Sequence, residues 1–397
     1  MIATWEEPRR STPGPLAGLR VLDLTTVVMG PSATQTLGDL GADVIKVEPV
    51  AGDSMRWIGP SRHDSMGPLY LQANRNKRGV VIDLKLAEGR AALLDLAKDA
   101  DVLISNVRPA GMERLGLGYE ALRAVNPSII YCAAVGYGEG GPGAGRAVYD
   151  DLMQAASGIA GLFAAIDGAP RYAPINVCDR VVGLYVVIAV QAALLHRQRT
   201  GEGQSIEVPM FETMAQFVLA DHSGGRAFAP PIGETCYKRL MSTTRGPYRT
   251  KDSYLAIVVY TDKHWRAFAE IVSAGNLLAP GSIFVNQESR TVHAREVGAF
   301  LKDHLLARTN AEWLAVLDAA DIPACGVNSV DDLYSDPHLA AVGLFEHVSH
   351  PTEGEIVTTR FPIIFSGSPT ALLMAPPNLG EHGVIAAKKA VPETAIP

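Results

Sequence analysis

Short runs of β-branched and aliphatic residues recur through the first third of the chain and predict buried strands. These runs are residues 19–25, 42–48, 79–84, 101–105 and 128–132. Helical periodicity lies between several of them, over residues 32–40, 86–98 and 119–125. Because parallel neighbours need a crossover connection, strands that alternate with helices predict an α/β fold with a doubly wound, mostly parallel sheet. Its ligands should bind beyond the C-terminal ends of the strands.

The pattern changes after residue 223. The elements before that point are helices over residues 149–163 and 211–219 and a strand over residues 205–209. Glycine and proline then crowd together, and residues 247–322 combine a strand with three helical stretches. We therefore predict three segments: a large Rossmann-like domain over residues 1–223, a small α+β domain over residues 224–330 with flanking linkers, and a C-terminal segment over residues 331–397 that returns to the large domain.

Composition and charge narrow the class of protein. With 397 residues, of which 47% are hydrophobic and 19% charged, the chain can bury a large core. The 35 basic and 42 acidic residues give a net charge of −7, which argues against a nucleic-acid surface and favours a small-molecule partner. Four dispersed cysteines without a Cys-x-x-Cys pair indicate a reducing compartment, with neither disulfides nor a zinc site.

Two further features predict a cytoplasmic protein that is not bound to a membrane. The first ten residues are polar and lack the apolar core of a signal peptide. The uncharged run over residues 181–195 is shorter than the roughly 18 residues that indicate a bilayer span.

Common cofactor and metal motifs are missing. The first strand is followed by TTVVMGPS, with one glycine instead of Gly-x-Gly-x-x-Gly, so neither NAD nor FAD is predicted. The glycine-rich residues 136–145 follow a late strand and form either a connection or a lid over a site. Glu346, His347 and His350 resemble metal ligands in spacing, but no further ligand is evident, so we predict no metal.

Asp179 stands just ahead of a long uncharged segment that predicts a buried helix. The sequence supports two interpretations of this residue. It is either an N-cap, for which aspartate is a favoured residue, or a nucleophile that stays ionised because a helix N-terminus favours negative charge. The neighbouring Cys178 would need a histidine base to act as a nucleophile, and we interpret it as a core residue.

Eight short motifs occur in order along nearly the whole chain. They are residues 16–24 (LAGLRVLDL), 40–48 (LGADVIKVE), 74–78 (NRNKR), 106–109 (NVRP), 114–117 (RLGL), 149–152 (YDDL), 200–204 (TGEGQ) and 379–382 (LGEH). Each is weak alone, but together they resemble the class III CoA-transferase family, also called the formyl-CoA transferase or carnitine CoA-transferase family. The α-methylacyl-CoA racemases share the fold of this family.

The resemblance implies an acyl-CoA enzyme that uses CoA as a substrate, holds no permanent cofactor and forms an interlocked homodimer. Asp179 matches the catalytic aspartate, which attacks the thioester carbonyl and forms a mixed anhydride and then an aspartyl-CoA thioester. The positions that match contacts to CoA are Val28, Met29, Lys85, Asn106, Val107, Arg108 and Arg114. Among these, Lys85 and Arg114 match phosphate contacts, and Val28 and Met29 match the pantetheine path. Tyr149 and Asp150 complete the predicted binding site.

One departure separates transfer from racemisation. The racemases carry a His-Asp pair for proton exchange where this chain has Tyr149-Asp150. Because tyrosine does not titrate near neutrality, we predict transfer of CoA from an acyl-CoA to a carboxylic acid. A racemase and a CoA-binding protein without catalysis are the alternatives. Asp150 is either an acid/base or substrate-contacting residue or a helix cap, and Arg239 and Arg245 either hold a dicarboxylate or lie on the surface.

Overall fold

The computed structural model describes residues 12–385, and these residues form two compact units. The first unit contains the chain up to Ser157, then Ala173–Gln216, then the chain from Pro337 onward. The second unit contains Gly158–Tyr172 and Phe217–Asp336. The domain boundaries proposed at residues 224 and 330 stay predictions.

The strands follow one another along the described chain at short intervals in its first half. In chain order they are β1 (Arg20–Leu24), β2 (Asp43–Glu48), β3 (Lys77–Ile82), β4 (Val102–Ser105), β5 (Ile130–Val135), β6 (Gln204–Pro209), β7 (Tyr248–Arg249), β8 (Tyr254–Ile257), β9 (Ala324–Gly326), β10 (Phe345–His350), β11 (Gly354–Thr359) and β12 (Val384–Ile385). All five strand runs predicted in the first third, and the predicted strand at residues 205–209, are strands in the structure.

Helices occupy most of the connections between these strands. In chain order they are α1 (Met29–Asp39), α2 (Pro68–Leu71), α3 (Ala87–Lys98), α4 (Pro109–Arg114), α5 (Tyr119–Val125), α6 (Asp150–Ala156), α7 (Ile159–Asp167), α8 (Val177–Thr200), α9 (Met210–His222), α10 (Asp262–Ile271), α11 (Gln287–Val292), α12 (Ala294–Leu305), α13 (Asn310–Ala319), α14 (Val330–Tyr334) and α15 (Pro337–Ala341). Two short 3-10 helices cover Ser54–Trp57 and Gly224–Ala227.

Seven parallel strands form the sheet of the first unit, in the order β12-β3-β2-β1-β4-β5-β6. Leu22 of β1 lies opposite Ile45 of β2 on one side and Leu103 of β4 on the other, and all three side chains are fully buried. The predicted doubly wound, Rossmann-like sheet is therefore confirmed. The strand order reverses between β1 and β4, and a sheet of this kind binds ligands at that switch point.

The predicted helix over residues 149–163 is wrong, because it breaks into α6 and α7. Gly158 separates the two helices with a φ of 98°, which lies in the left-handed region that a right-handed helix cannot continue through. The β12 pairing was not predicted either. It adds two residues from near the end of the described chain to the β3 edge of the sheet.

Helix α8 packs closely on α1 and brings its first turn to the sheet's switch point. A Cβ atom at Gly183 would lie 2.9 Å from the carbonyl oxygen of Met29, so glycine permits this approach. The helix ends at Gly201 with a φ of 80°, as the glycine after its basic last turn predicts. By length and composition α8 alone among the described helices is able to span a bilayer, a criterion that buried core helices also meet.

The second unit has its own apolar core. Strands β7, β8 and β9 form an antiparallel sheet. Helices α10, α12 and α13 occur between β8 and β9 in the chain. Trp265, Phe268 and Trp313 are buried together, with Phe268 stacked on Trp313 at a centroid distance of 6.1 Å. Thr261 and Thr309 accept hydrogen bonds from backbone N–H groups at the starts of α10 and α13, which satisfies helix ends that would otherwise lack partners.

Candidate active site

A cavity of about 370 Å³ opens at the C-terminal ends of β1, β4 and β5, where the strand order of the first unit reverses. The residues that line it come from the end of β5, from the loops after β1, β4 and β5, and from the first turns of α1, α4, α8 and α9. They are Thr26, Val27, Met29, Asn106, Val107, Arg108, Pro109, Ala134, Val135, Gly136, Tyr137, Glu139, Gly145, Arg146, Ala147, Val148, Tyr149, Asp179 and Met210. Its position agrees with the expectation from the strand pattern.

Asp179 lies in the first turn of α8 and lines this cavity with only 9% of its surface exposed. The N-cap position belongs to Asn176, whose side chain makes no capping hydrogen bond. The interpretation of Asp179 as the N-cap is therefore wrong. Its carboxylate is not committed to a capping role and is available to a bound molecule.

Burial, and to a smaller extent the negative charge of Asp150, raise the pKa of Asp179 from 3.8 to about 7, while Arg180 opposes both effects. The expectation that the helix start keeps this carboxyl readily ionised is thus corrected, since burial outweighs the helix N-terminus. Arg180 itself donates a hydrogen bond from Nη1 to Ser32 Oγ at 2.7 Å, which directs its guanidinium toward α1. A strongly raised pKa in a cavity wall marks Asp179 as a candidate functional group.

Asp150 does not line the cavity, and its side chain accepts a hydrogen bond from the backbone of Asp179. Its Oδ1 accepts the backbone N–H of Asp179 at 3.0 Å, and its Oδ2 accepts Nε2 of Gln154 at 2.7 Å. Gln154 also accepts the backbone N–H of Ala173 at 2.8 Å, which fixes the segment that leads into α8. Asp150 is the first residue of α6 after its N-cap Tyr149, so it caps α8 and not its own helix.

The loop between β1 and α1 forms the other wall, and its backbone is strained. Val27 has a φ of 73°, a conformation that is costly for a β-branched residue. Its N–H donates to Asp53 Oδ1 at 3.1 Å. Asn106 secures the preceding residue, because its amide accepts the N–H of Thr26 at 3.1 Å and donates to the Thr26 carbonyl at 2.8 Å. These bonds hold the loop in the shape that lines the cavity.

Fully buried ion pairs support this loop from below. Lys46 donates to Asp53 at 3.1 Å and to the carbonyl of Thr25 at 3.0 Å. Lys77 donates to Asp23 at 3.0 Å and to the carbonyl of Pro31 at 2.9 Å. Each lysine thus binds one carboxylate and one backbone carbonyl. The two carbonyls, of Thr25 and Pro31, lie before and after the strained Val27 in the chain.

The charges of the Lys77–Asp23 pair persist at neutral pH. Burial alone would raise the pKa of Asp23, but the charges of Lys77 and Lys46 and hydrogen bonds from Thr25 and Thr34 lower it to about 2. Burial lowers the pKa of Lys77 to about 8, with Asp23 opposing that shift, so the lysine is still a cation at pH 7.

A third buried pair, between Arg56 and Glu48, links the first part of the described chain to Pro377. Glu48 accepts two hydrogen bonds from Arg56, at 2.8 and 2.7 Å, and its Oε1 also accepts the backbone N–H of Asp53 at 2.8 Å. Arg56 and the hydroxyl of Tyr70 both donate to the carbonyl of Pro377, at 3.1 and 3.0 Å. The position of Asp53, and through it Val27, therefore depends on residues that lie far apart in the chain.

The glycine-rich residues 136–145 contribute Gly136, Tyr137, Glu139 and Gly145 to the cavity lining, which is the position expected of a lid. The segment is anchored where it leaves β5: the N–H groups of Gly138 and Glu139 donate to the carboxylates of Glu212 and Glu207, at 3.0 and 3.1 Å. At its far end the carbonyl of Gly145 accepts a hydrogen bond from Arg108 at 3.3 Å. Arg108 thus connects the β4 loop with this segment across the cavity.

The structure brings six of the ten predicted site residues together around one cavity. These six are Met29, Asn106, Val107, Arg108, Tyr149 and Asp179. Asp150 lies behind Asp179, and Val28 packs into a buried cluster with Met55, Met66 and Tyr70 instead of facing the cavity. Lys85 and Arg114 are exposed and lie outside the cavity lining, Lys85 after the end of β3 and Arg114 as the last residue of α4.

Sequence reasoning missed several residues that shape the site. Val27 and Asp53 form the strained wall, and Gln154 positions both Asp150 and the segment before α8. The sequence did mark Asp53, because Gly52-Asp53 closely follows the motif at residues 40–48 that resembles the family. Nothing in the sequence pattern marks Gln154, which bonds Asp150 in its own helix and Ala173 and Ile175 in the segment before α8.

Two alternative chemistries find little support at this site. Burial, with the charges of Asp150 and Asp179, raises the pKa of Cys178 to about 12, so this thiol is not an available nucleophile at neutral pH. Among residues 12–385 no group of three or more His, Cys, Asp and Glu side chains is arranged to hold a metal ion. His347 pairs with Glu355 at 2.9 Å, and His350 bonds the carbonyl of Pro376 at 2.8 Å.

Comparison with known families assigns this chain, with its parallel sheet and its buried carboxylate at the switch point, to the CoA-transferases. Residues 16–383 match the profile of CoA-transferase family III, and the chain belongs to this family. It is accordingly a class III CoA-transferase by family, as the ordered motifs predicted.

Individual relatives agree with this assignment along the whole chain. The succinate–glutarate CoA-transferase of Agrobacterium fabrum is 35% identical, and the alignment covers 96% of this chain and 98% of the relative. The succinyl-CoA:glutarate CoA-transferase of Mus musculus is 33% identical, with 93% and 84% covered. The crystal structure of Rv3272 from Mycobacterium tuberculosis superposes with a TM-score of 0.80 at 31% identity, covering 94% and 99%.

Proposed function

We propose that this enzyme transfers CoA from an acyl-CoA thioester to a small dicarboxylic acid, with Asp179 as the nucleophile. The observation that carries the proposal is the nearly buried Asp179 carboxylate in the wall of the cavity at the sheet's switch point. The two named relatives support the class of acid, because succinate and glutarate are both dicarboxylates. The identity of the acids in this enzyme is part of the proposal.

The chemistry proceeds by acyl exchange on one carboxyl group. An Asp179 oxygen attacks the thioester carbonyl, the C–S bond breaks, and CoA leaves as a thiolate while a mixed anhydride forms. The thiolate then attacks the aspartyl carbonyl of the anhydride, and the first acid leaves as its carboxylate. An incoming carboxylate displaces the thiolate from the aspartyl thioester, and the thiolate attacks the new acyl group. The products are a new acyl-CoA and a free Asp179 carboxylate, with no net proton change.

The surroundings of Asp179 suit this sequence. An anhydride must be kept from water, and the apolar side chains of Met29, Val135 and Met210 line the cavity beside the carboxylate. The glycine-rich residues 136–145 supply a covering segment with many backbone N–H groups. Since the N–H groups of Gly138 and Glu139 are bound to glutamates, oxyanion donors would come from other residues of the cavity wall.

CoA is placed by the residues after β4. Asn106, Val107 and Arg108 lie at the cavity, and the exposed Arg114 stands at the end of α4, which directly follows them in the chain. Lys85 follows β3, which is three strand spacings from β4, or roughly 14 Å. In this proposal the thiol end of CoA reaches Asp179, while the exposed cations contact phosphates farther along an extended molecule.

A direct assay tests the proposal. The enzyme is incubated with succinyl-CoA and a set of mono- and dicarboxylic acids, and the acyl-CoA products are identified by mass spectrometry. We expect new thioesters of dicarboxylic acids and a hydroxylamine-trapped adduct on the peptide that contains Asp179. Deuterium uptake at the α-carbon of a 2-methylacyl-CoA without an acceptor acid would instead identify a racemase. Tight CoA binding without any adduct would indicate a binding protein.

The pH dependence of the reaction follows from the pKa of Asp179. Because the nucleophile must be ionised, kcat/KM for the acyl-CoA should rise with pH and level off above about 7. The Asp150→Asn substitution removes a charge that raises this pKa, so the inflection should move to lower pH. It should stay above 3.8, since burial is the larger cause and is unchanged. Initial-rate measurements of kcat/KM from acidic to alkaline pH give the inflection points of the wild type and of the Asp150→Asn variant.

Asp151 provides the matched control for that measurement. It is the next residue of α6 and is exposed, and it does not contribute to the pKa shift of Asp179. The Asp151→Asn variant should keep the wild-type inflection. An equal shift in both variants, or none in Asp150→Asn, would contradict the electrostatic role given to Asp150.

We further propose a homodimer in the cytoplasm. The outer face of α8 supports the dimer, because Leu184, Ile188 and Leu195 recur at helical spacing and each is more than half exposed. An apolar stripe of this kind is typical of a surface that a second chain covers. Sedimentation equilibrium at micromolar concentration should give about twice the chain mass of 42.2 kDa. A single-chain mass under these conditions rules out the stable dimer.

A further inference from the structure

The second unit contains a cavity of its own, of about 300 Å³. Three arginines line it, Arg239, Arg245 and Arg290, and its described lining contains no aspartate or glutamate. Polar side chains of Ser242 and Thr291 share the wall with the ring of Trp265. A cavity of this size lies at the lower end of the range for small-molecule sites, which is sufficient for a small acid.

Arg290 is the fixed member of the three. Only 5% of this residue is exposed, and its guanidinium donates to the carbonyl of Phe284 at 2.8 Å and pairs with Asp262. Its Nε–H is fully buried and has no acceptor anywhere in residues 12–385. A buried donor without a partner is costly, and a ligand oxygen is the simplest group to satisfy it.

Arg239 and Arg245 add charge that is not neutralised within the unit. In the part of the chain that the structure describes, neither side chain forms a hydrogen bond or an ion pair. Both charges act on the hydroxyl of Tyr248, which lines the same cavity, and they oppose the rise in its pKa that burial causes. Two unpaired guanidinium groups therefore face the same small volume as the buried Arg290.

From this geometry we infer that the cavity of the second unit binds a small dicarboxylate, with Arg239 and Arg245 holding one carboxylate and Arg290 the other. Guanidinium groups bind carboxylates in a bidentate manner, and two separate cationic positions favour a dianion over a monoanion. The choice of a dicarboxylate rests on the proposed function, whereas the presence of an anion site rests on the cavity alone.

The test uses the full-length enzyme, glutarate and pentanoate, an acid of equal length with one carboxylate. Phenylglyoxal modifies arginine, and peptide mass spectrometry reports each site. We expect glutarate to protect Arg239 and Arg245 by at least fivefold, pentanoate to protect them little, and neither acid to protect the exposed Arg266 of α10. Equal modification of Arg239 and Arg245 with and without glutarate overturns the inference.

A variant gives the second measurement. Arg239→Gln with Arg245→Gln should weaken glutarate binding in calorimetry by at least tenfold and leave the melting temperature unchanged, because neither side chain has a partner to lose. Arg266→Gln is the matched control and should bind normally. If glutarate binding is lost but no acid accepts CoA in the exchange assay, the site stands and the proposed function fails. If exchange proceeds and the double variant binds glutarate normally, the function stands and this site fails.

Discussion

The Asp179→Asn enzyme is expected to fold and to lose CoA transfer by on the order of 10⁴-fold or more, because no other described group at the cavity replaces the nucleophile. Asparagine has nearly the same size, and the backbone N–H of residue 179 can still donate to Asp150. The rate is measured as formation of a new acyl-CoA from succinyl-CoA and glutarate. The hydroxylamine-trapped adduct should be absent from the variant.

The same substitution should increase stability at alkaline pH. The folded-state pKa of Asp179, about 7, lies above its ordinary value of 3.8, so the wild-type fold loses stability as pH rises between these values. The substituted asparagine carries no charge and escapes this loss. The melting temperature of the variant should therefore exceed that of the wild type above neutral pH, and the difference should shrink as the pH falls toward 3.8. Normal transfer by the variant would falsify the assignment of Asp179.

The Lys77→Met enzyme is expected to lose roughly 3–5 kcal/mol of stability in the first unit, because Asp23 would be left as a buried charge without its main partner. Both side chains of this pair are fully buried, and the carbonyl of Pro31 and the amide oxygen of Asn74 would also lose a donor. Each kcal/mol lost lowers the melting temperature of a unit of this size by about 2–4 °C. The unfolding transition of the first unit should therefore fall by roughly 10 °C. Differential scanning calorimetry at neutral pH measures it.

Lys98 is the matched control for that experiment. It pairs with Asp95 at 2.7 Å three residues apart on α3, and more than half of each side chain is exposed. Exposed pairs contribute about 0–1 kcal/mol, so Lys98→Met should leave the transition nearly unchanged. Comparable effects of the two substitutions would show that burial of the Lys77–Asp23 pair does not determine its contribution.

Local pattern was sufficient to predict the sheet. Strands β1, β2 and β4 are buried along their whole length, and their sequences are rich in aliphatic and β-branched residues that stand out from the helices between them. The helix break at Gly158 was missed because a single glycine within an apolar stretch does not reveal its φ. Parallel sheets of this kind bind ligands where their strand order reverses, and this general rule predicted the place of the cavity.

The site itself was only partly predictable. Asp179 stood out because it is charged at the edge of an uncharged run, and the family motifs supplied most of the cavity wall. The pairing of Asp150 with the N–H of Asp179 joins residues 29 positions apart, and no periodicity encodes such a contact. The burial of Val28 was equally hidden, since its neighbours Met29 and Val27 face the cavity while it packs against Met66.

The hydrogen bonds that Pro377 accepts from Arg56 and Tyr70 have a consequence for the order of biosynthesis. A ribosome makes the chain from its N-terminus, so Glu48, Arg56 and the strained Val27 loop emerge early. The carbonyl of Pro377 emerges 321 residues after Arg56, and the strand β12, which pairs with β3, emerges later still. The network around Arg56 is therefore completed late in synthesis, and a nascent chain released before Pro377 would leave the Arg56 guanidinium without one of its acceptors.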